Sequence, residues 1–171
     1  YYRGALKLDQ SSLGFFKKPS KPFLRWAGGK NWITNRLSKA FNSLEFNHYH
    51  EPFLGGGSIF FGLPHRKRSF LSDINASLIE TYNCLKDGPE EVIRNLQNYS
   101  NDRESYYKIR QESYSNAYAR AAQFIYLNQT SFNGIYRVNF KGDYNVPYGY
   151  RTKNFLDEDT LLAASIALQD A

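Results

Sequence analysis

"EPFLGGGSIFF", residues 51–61, runs from a proline through three adjacent glycines into a block of bulky apolar side chains. Glycine loses more conformational freedom on folding than any other residue, and one is enough for most turns. Three in a row leave two readings open: a tight turn, or a backbone stripped so that a ligand can lie against it. The flanks help to place the loop. "NHYHEPFL" reads as a strand entering it, "SIFFGL" as a brief helix leaving it, and "SFLSDI" as a short buried strand that leads to Asp73.

Strand, glycine loop, helix and a second strand closing on an acid form the opening order of a Rossmann-like α/β sheet. Open sheets of this kind usually hold about five or more strands. Here only two are legible before the texture changes, so the chain is expected to carry half a sheet. Upstream, "NWITNRLSKAF" puts Ile33, Leu37 and Phe41 on one helical face. Downstream, "NASLIETYNCLK" repeats Leu78, Tyr82 and Leu85 at helical spacing. "GPEEVIRNLQNY" starts a further helix with Pro89 and two acids in its first turn, where the helix dipole favours them. Helical periodicity continues through "ESYYKIRQESY" and "AYARAAQFIYLNQ". "IYRVNFKGDYNVPYGY" then alternates, is rich in β-branched and aromatic residues, and folds back at "KGD", which predicts a hairpin. "LDEDTLLAASIALQ" predicts a last capped helix.

At 171 residues the chain is long enough for one domain with a real core, and 42% apolar content argues for a folded protein. The single cysteine, Cys84, excludes an internal disulfide framework and fits a reducing setting. No stretch has the length of a membrane span, and the start "YYRGALKLDQSSLGFFKKPSKP" has no secretory apolar core. A cytoplasmic protein is therefore expected. The chain holds no methionine, so either its authentic start is missing or the initiator was removed. The net charge of +6 is unevenly placed. Residues 1–42 hold nine Lys and Arg against Asp9, and residues 113–156 hold Arg120, Arg137, Lys141, Arg151 and Lys153 against Asp143. Two basic zones around a neutral-to-acidic centre fit a polyanion lying across one surface; solvated lysines kept for solubility are the plainer alternative.

An acid at the tip of the second strand of a nucleotide-binding sheet accepts hydrogen bonds from both ribose hydroxyls. Asp73 stands there, although with Asn75 behind it it is also placed to cap the next helix. A dinucleotide fingerprint requires a third glycine where this chain has Phe60, which disfavours a nicotinamide-dependent oxidoreductase. "WAGGKN" lacks the spacing of a phosphate loop and has Asn31 where that loop needs Ser or Thr. A nucleoside ligand without phosphates fits better, and S-adenosylmethionine is such a ligand. No metal is called for.

"KPFLRWAGGK", "EPFLGGGSIFF", "SDINASLIETY" and "YLNQTSFNGIYRVNFKGDYNVPYG" together resemble, in order and spacing, the blocks of the Dam-like (D12) class of DNA adenine-N6 methyltransferases. The likeness spans roughly residues 21–155. It implies a Rossmann-like methyltransferase fold, incomplete in this chain, with a helical and β-hairpin region that recognises duplex DNA. Trp26 and Lys30 would lie at the S-adenosylmethionine site, Phe53, Gly55 and Gly57 would form its loop, and Asp73 would hold the ribose. On the DNA side it implies Arg25, Asn133, Arg137, Asn139, Pro147 and Arg151. Arginine suits a bidentate contact to guanine, and asparagine one to adenine or a phosphate. A structural role within the body or the hairpin is the alternative for each residue. Phe132 replaces a tyrosine of some relatives and Arg151 an aromatic, which bears on base choice; palindromic GATC is the site that family likeness implies.

The family's catalytic step rests on an Asp-Pro-Pro-Tyr-type motif that grips the adenine amino group and stacks on the flipped base. Prolines 19, 22, 52, 64, 89 and 147 are never adjacent here, so this chain is expected to have no catalytic residue of its own. The expected division is a basic arm (1–20), a cofactor-binding part (21–86), a target-recognition region (87–155) and a segment returning toward a catalytic half (156–171). That half would be a C-terminal continuation or a second subunit. The alternative is an inert, methyltransferase-like subunit that recognises DNA for a larger complex.

Overall fold

Two three-residue strands, β1 (Tyr49–Glu51) and β2 (Ser69–Leu71), pair in parallel, Tyr49 opposite Ser69 and Glu51 opposite Leu71. The structure is a computed structural model that describes residues 20–63 and 68–171. Almost all of the expected basic arm, residues 1–19, lies outside the described residues. Parallel strands cannot be joined by a tight turn, and the crossover here runs through α2 (Ser58–Gly62). Pairing continues past the strands: Ser72 N donates to Glu51 O at 3.0 Å, and Leu54 N to Ser72 O at 3.0 Å. The chain is thereby held as it enters the glycine loop. Helix α1 (Asn31–Asn42) packs on α2 beside this small sheet.

The larger part is helical. Helices α3 (Ala76–Asp87), α4 (Pro89–Gln97), α5 (Arg103–Gln111), α6 (Ala117–Thr130) and α7 (Glu158–Leu168) start where the sequence has caps. The side chains of Asn75, Asp102, Asn116 and Asp157 each accept from a first-turn amide, and α4 opens instead on Pro89 with Glu90 and Glu91 behind it. Helix α6 is the axis, packing on α3, α4 and α5. Its buried Ala121 and Ala122 present no bulk, so neighbouring helices approach closely. Tyr126 of α6 and, around the helix, Leu78, Leu85, Val92, Leu96, Tyr106 and Leu168 are almost wholly buried. After α7 the chain returns to the sheet edge, where Asp170 O accepts from Ser69 N at 2.8 Å.

The segment expected as a regular hairpin folds back at the expected place but without a strand ladder. Two isolated antiparallel bridges mark it, Val138 with Tyr144 and Ser131 with Tyr148. Backbone bonds flank the bridges, Asn139 N donating to Asp143 O at 2.9 Å and Asn145 N to Arg137 O at 3.1 Å, and side chains add to them. Asn139 Oδ1 accepts from Lys141 N and Asp143 N, both at 2.9 Å, and Arg137 Nε donates to Asn145 Oδ1 at 2.7 Å. Pro147 has no amide to give a ladder, and Tyr150 sits at φ 52°, outside strand geometry.

Candidate functional site

The glycine loop meets side chains of its own protein. At φ 51°, Gly55 is in the left-handed region, and a Cβ there would lie 2.8 Å from Trp26 Cδ1. One on Gly56 would lie 2.9 Å from Trp26 Cβ, and one on Gly57 (φ 67°) 2.8 Å from Phe61 Cε2. The backbone is bare because Trp26 lies along it on one side and Phe61 packs beneath it on the other. Tyr82, fully buried, donates its hydroxyl to Gly55 O at 3.0 Å and ties the loop down to α3.

Beside the loop is a cleft of about 190 Å³, smaller than the usual range for a pocket that encloses a whole ligand. Its walls include Trp26, Lys30, Phe53, Gly55 and Asp73, five of the six residues expected at a cofactor. Gly57 is the exception: it does not line the cleft, and it serves as N-cap of α2 with its Cα turned to the core. Phe53 stands 83% exposed at the rim, a bare apolar face that costs hydration. Asp73 is not the cap of the next helix; it braces the backbone of the loop and of the helix start. Its Oδ2 accepts from Gly55 N at 2.9 Å and its Oδ1 from Asn75 N at 3.0 Å, so it clamps the loop to the start of α3, while Asn75 is the helix cap. Each carboxylate oxygen keeps a lone pair for a ligand hydroxyl.

Sequence reasoning missed Glu51, which also lines the cleft. Its Oε2 accepts from the Tyr49 hydroxyl at 2.7 Å. Burial raises the Glu51 carboxyl above the ordinary range, against the opposing pull of Tyr49, a backbone bond at Phe60 and the Lys30 charge. The Tyr82 hydroxyl is pushed well up, by burial first and then by Glu51 and Asp73. Glu51 opened the decisive stretch; its place just ahead of a glycine loop was the available signal. Ser58, at the head of α2, was missed as well and lines the cleft.

A second cavity, of about 610 Å³, shares Trp26, Ala27, Gly29 and Ser58 with the cleft and is lined on its far side by Arg25, Asn133 and Gly134. Buried Asn128 joins these parts: Oδ1 accepts from Arg25 N at 2.8 Å, and Nδ2 donates to Arg25 O at 2.7 Å and to Gly134 O at 3.1 Å. Nothing in "YLNQT" separates this asparagine from a surface one except its place on the apolar face of α6. Arg25 lies against Gly134, and its Nη1 is buried with no hydrogen-bond partner. Burial, then the charge of Arg151, lowers the Arg25 pKa. Arg151 Nη1 donates to Gln129 O at 3.3 Å, next to Asn128 in α6. Two arginines close enough to repel concentrate positive charge here. Asn133, at φ 56°, and Pro147 are exposed. Arg137 is exposed with its guanidinium braced by Asn145, whereas the Asn139 amide is spent on the turn, its Nδ2 donating to Asp143 Oδ2 at 3.1 Å. The structure thus brings Arg25, Asn133 and Arg151 to one side of α6 and sets Arg137 on the fold-back loop.

Among the described residues no group of His, Cys, Asp and Glu could hold a metal ion, and no helix is long and apolar enough to cross a membrane. The profile of the D12 class N6 adenine-specific DNA methyltransferases matches residues 26–171, and the chain belongs to that family. It is 37% identical to the type II methyltransferase M.MjaIII of Methanocaldococcus jannaschii, an alignment covering 88% of this chain and 60% of the relative. It is 35% identical to the type II methyltransferase M1.LlaDCHI of Lactococcus lactis subsp. cremoris, over 85% of this chain and 54% of the relative. Likeness to the DNA adenine methylase of Haemophilus influenzae is 34%, over 85% and 52%. The chain spans little more than half the length of these relatives.

Proposed function

We propose that this chain is the cofactor-binding and DNA-recognising part of a site-specific adenine-N6 DNA methyltransferase that draws on S-adenosylmethionine and acts on a base flipped out of the duplex. In this reading β1 and β2 are the first strands of a Rossmann-like sheet. The observation that carries it is the clamp of Asp73 on the glycine loop, in one cleft with Trp26, Lys30 and Glu51. The residues suit the cofactor: carboxylate oxygens for ribose hydroxyls, an ammonium and a carboxylate for a zwitterionic tail, and aromatic faces for a purine.

When bound, S-adenosylmethionine supplies an electrophilic sulfonium methyl. Asp73 orients the ribose, and the clamp to Gly55 means that it is already in place before any ligand arrives. Lys30 takes the tail carboxylate, Glu51 accepts from the tail amine, and Trp26 and Phe53 cover apolar surface and exclude water. Arg25 and Arg151 hold DNA phosphate oxygens, while Asn133 and Arg137 face bases. The Asp-Pro-Pro-Tyr-type group that would accept the amino hydrogens of adenine is absent from these residues, and we assign it to further chain or a second subunit.

The test is calorimetric titration of S-adenosylmethionine into the wild type, Asp73→Asn and Asp73→Ala. Losing a charge-assisted hydrogen bond of about 1.5–3 kcal/mol weakens affinity about 10- to 150-fold, more for Ala than for Asn. Equal affinity in all three proteins would remove the ribose assignment.

A further inference from the structure

Stacked rings join the cleft to the fold-back loop. Trp26 forms one wall of the cleft, lying along Gly55 and Gly56. Tyr136 stacks on Trp26 with centroids 5.7 Å apart and planes 21° apart, and Phe124 backs both, 6.3 Å from Trp26 and 5.0 Å from Tyr136. Tyr136 in turn meets Tyr144 at 5.8 Å. Tyr136 directly precedes Arg137, and Tyr144 directly precedes Asn145, the residue that braces the Arg137 guanidinium. The Tyr144 hydroxyl also donates to Ile135 O at 2.8 Å. Each ring in the column beyond Phe124 is therefore one residue away from a group that decides where Arg137 sits.

The column is not packed solid. Behind Tyr136 lies a cavity of about 640 Å³, with Tyr144 and the fold-back loop on its wall. Tyr136 is half-buried, touching Trp26, Phe124 and Tyr144 and bordering this open volume. Methyl transfer requires donor and acceptor to be held in register to within about an ångström. A loop that reads DNA must therefore be referenced to the cleft that holds the donor.

We propose that Tyr136 is a positioning residue that registers the DNA-reading loop against the cofactor cleft, so that cofactor occupancy and DNA affinity are linked through the Trp26–Tyr136 stack. This rests on the cofactor and DNA assignments above. A ligand that presses on Trp26 moves or stiffens Tyr136 and with it the mount of Arg137. By linkage, DNA held by Arg137 changes cofactor affinity by the same factor.

The experiment measures duplex affinity with and without saturating S-adenosylhomocysteine, the demethylated and unreactive cofactor, in the wild type, Tyr136→Phe, Tyr136→Leu and Tyr136→Ala. The wild type and the Phe variant show the cofactor tightening DNA about five- to tenfold. In the Leu variant, which keeps bulk without a ring face, and in Ala the ratio falls to about one, each ligand alone still binding within about threefold of wild type. An unchanged ratio in Leu, or a wild type that binds both ligands without coupling, overturns the inference and leaves the functional reading standing. A wild type that takes up no cofactor overturns both.

Discussion

The helical body and the glycine-loop side are built on opposite principles. In the body, caps, apolar faces and packing agree: Asn75, Asp102, Asn116 and Asp157 start helices whose inner faces close over one another. On the other side the strands are three residues long, Phe53 and Ile74 are bare, and buried Leu54, Phe60 and Phe61 are supplemented by hydrogen bonds at single points such as Asp73 to Gly55. The body is stabilised by its own apolar surface. On the proposed reading the glycine-loop side also serves a ligand, since an exposed ring and a carboxylate held in advance contribute little to folding.

That contrast can be broken by substitution. Leu85→Ala, in the buried face of α3, should cost about 2–5 kcal/mol of stability, lowering Tm by about 4–20 °C while cofactor binding below the transition is unchanged. A loss under about 1 kcal/mol would mean that the body is not packed around this residue. A smaller, pH-dependent effect belongs to Glu51. Its carboxyl is raised in the folded state, so folding favours the protonated form; that advantage is present at acid pH and is lost as pH rises through the raised value. Glu51→Gln, neutral throughout, should therefore match the wild type near pH 4 and exceed its Tm by about 1–3 °C near pH 8, while binding S-adenosylmethionine more weakly. A gap that widens toward acid pH would reverse the assigned cause. Phe53→Ser should move stability least, within about 0.5 kcal/mol, yet reduce cofactor affinity severalfold in calorimetry. A large fall in Tm would show the ring to be structural.

Much of the body could be read in advance because helical signals are local. Pro89 with two acids, or Asp157 before an apolar run, needs no distant partner to have meaning. The family blocks were legible for a related reason: an acid after a short strand and glycines after another are local patterns that recur together. Asn128, Tyr136 and the double duty of Asp73 could not be read in the same way. Asn128 looks like any polar residue near a helix end, and only its burial against Arg25, 103 positions earlier, makes it a joint. The fold-back loop was legible as a reversal but not in its construction, because isolated bridges reinforced by the Asn139 side chain stand where alternation implied a continuous ladder.

Sequence alone determined the order of the helices and of the two strands, the place of the chain reversal, the two basic zones, and the glycine run and Asp73 that mark the cleft, all carried by residues near one another in the chain. Only the tertiary structure decided what the glycines are bare for: the indole of Trp26 lies along Gly55 and Gly56, and the Phe61 ring lies beneath Gly57. The reason is steric. Whether a missing Cβ makes room for a ligand or for the protein's own ring depends on what packing brings alongside, and for these glycines that includes Trp26, from a distant part of the chain.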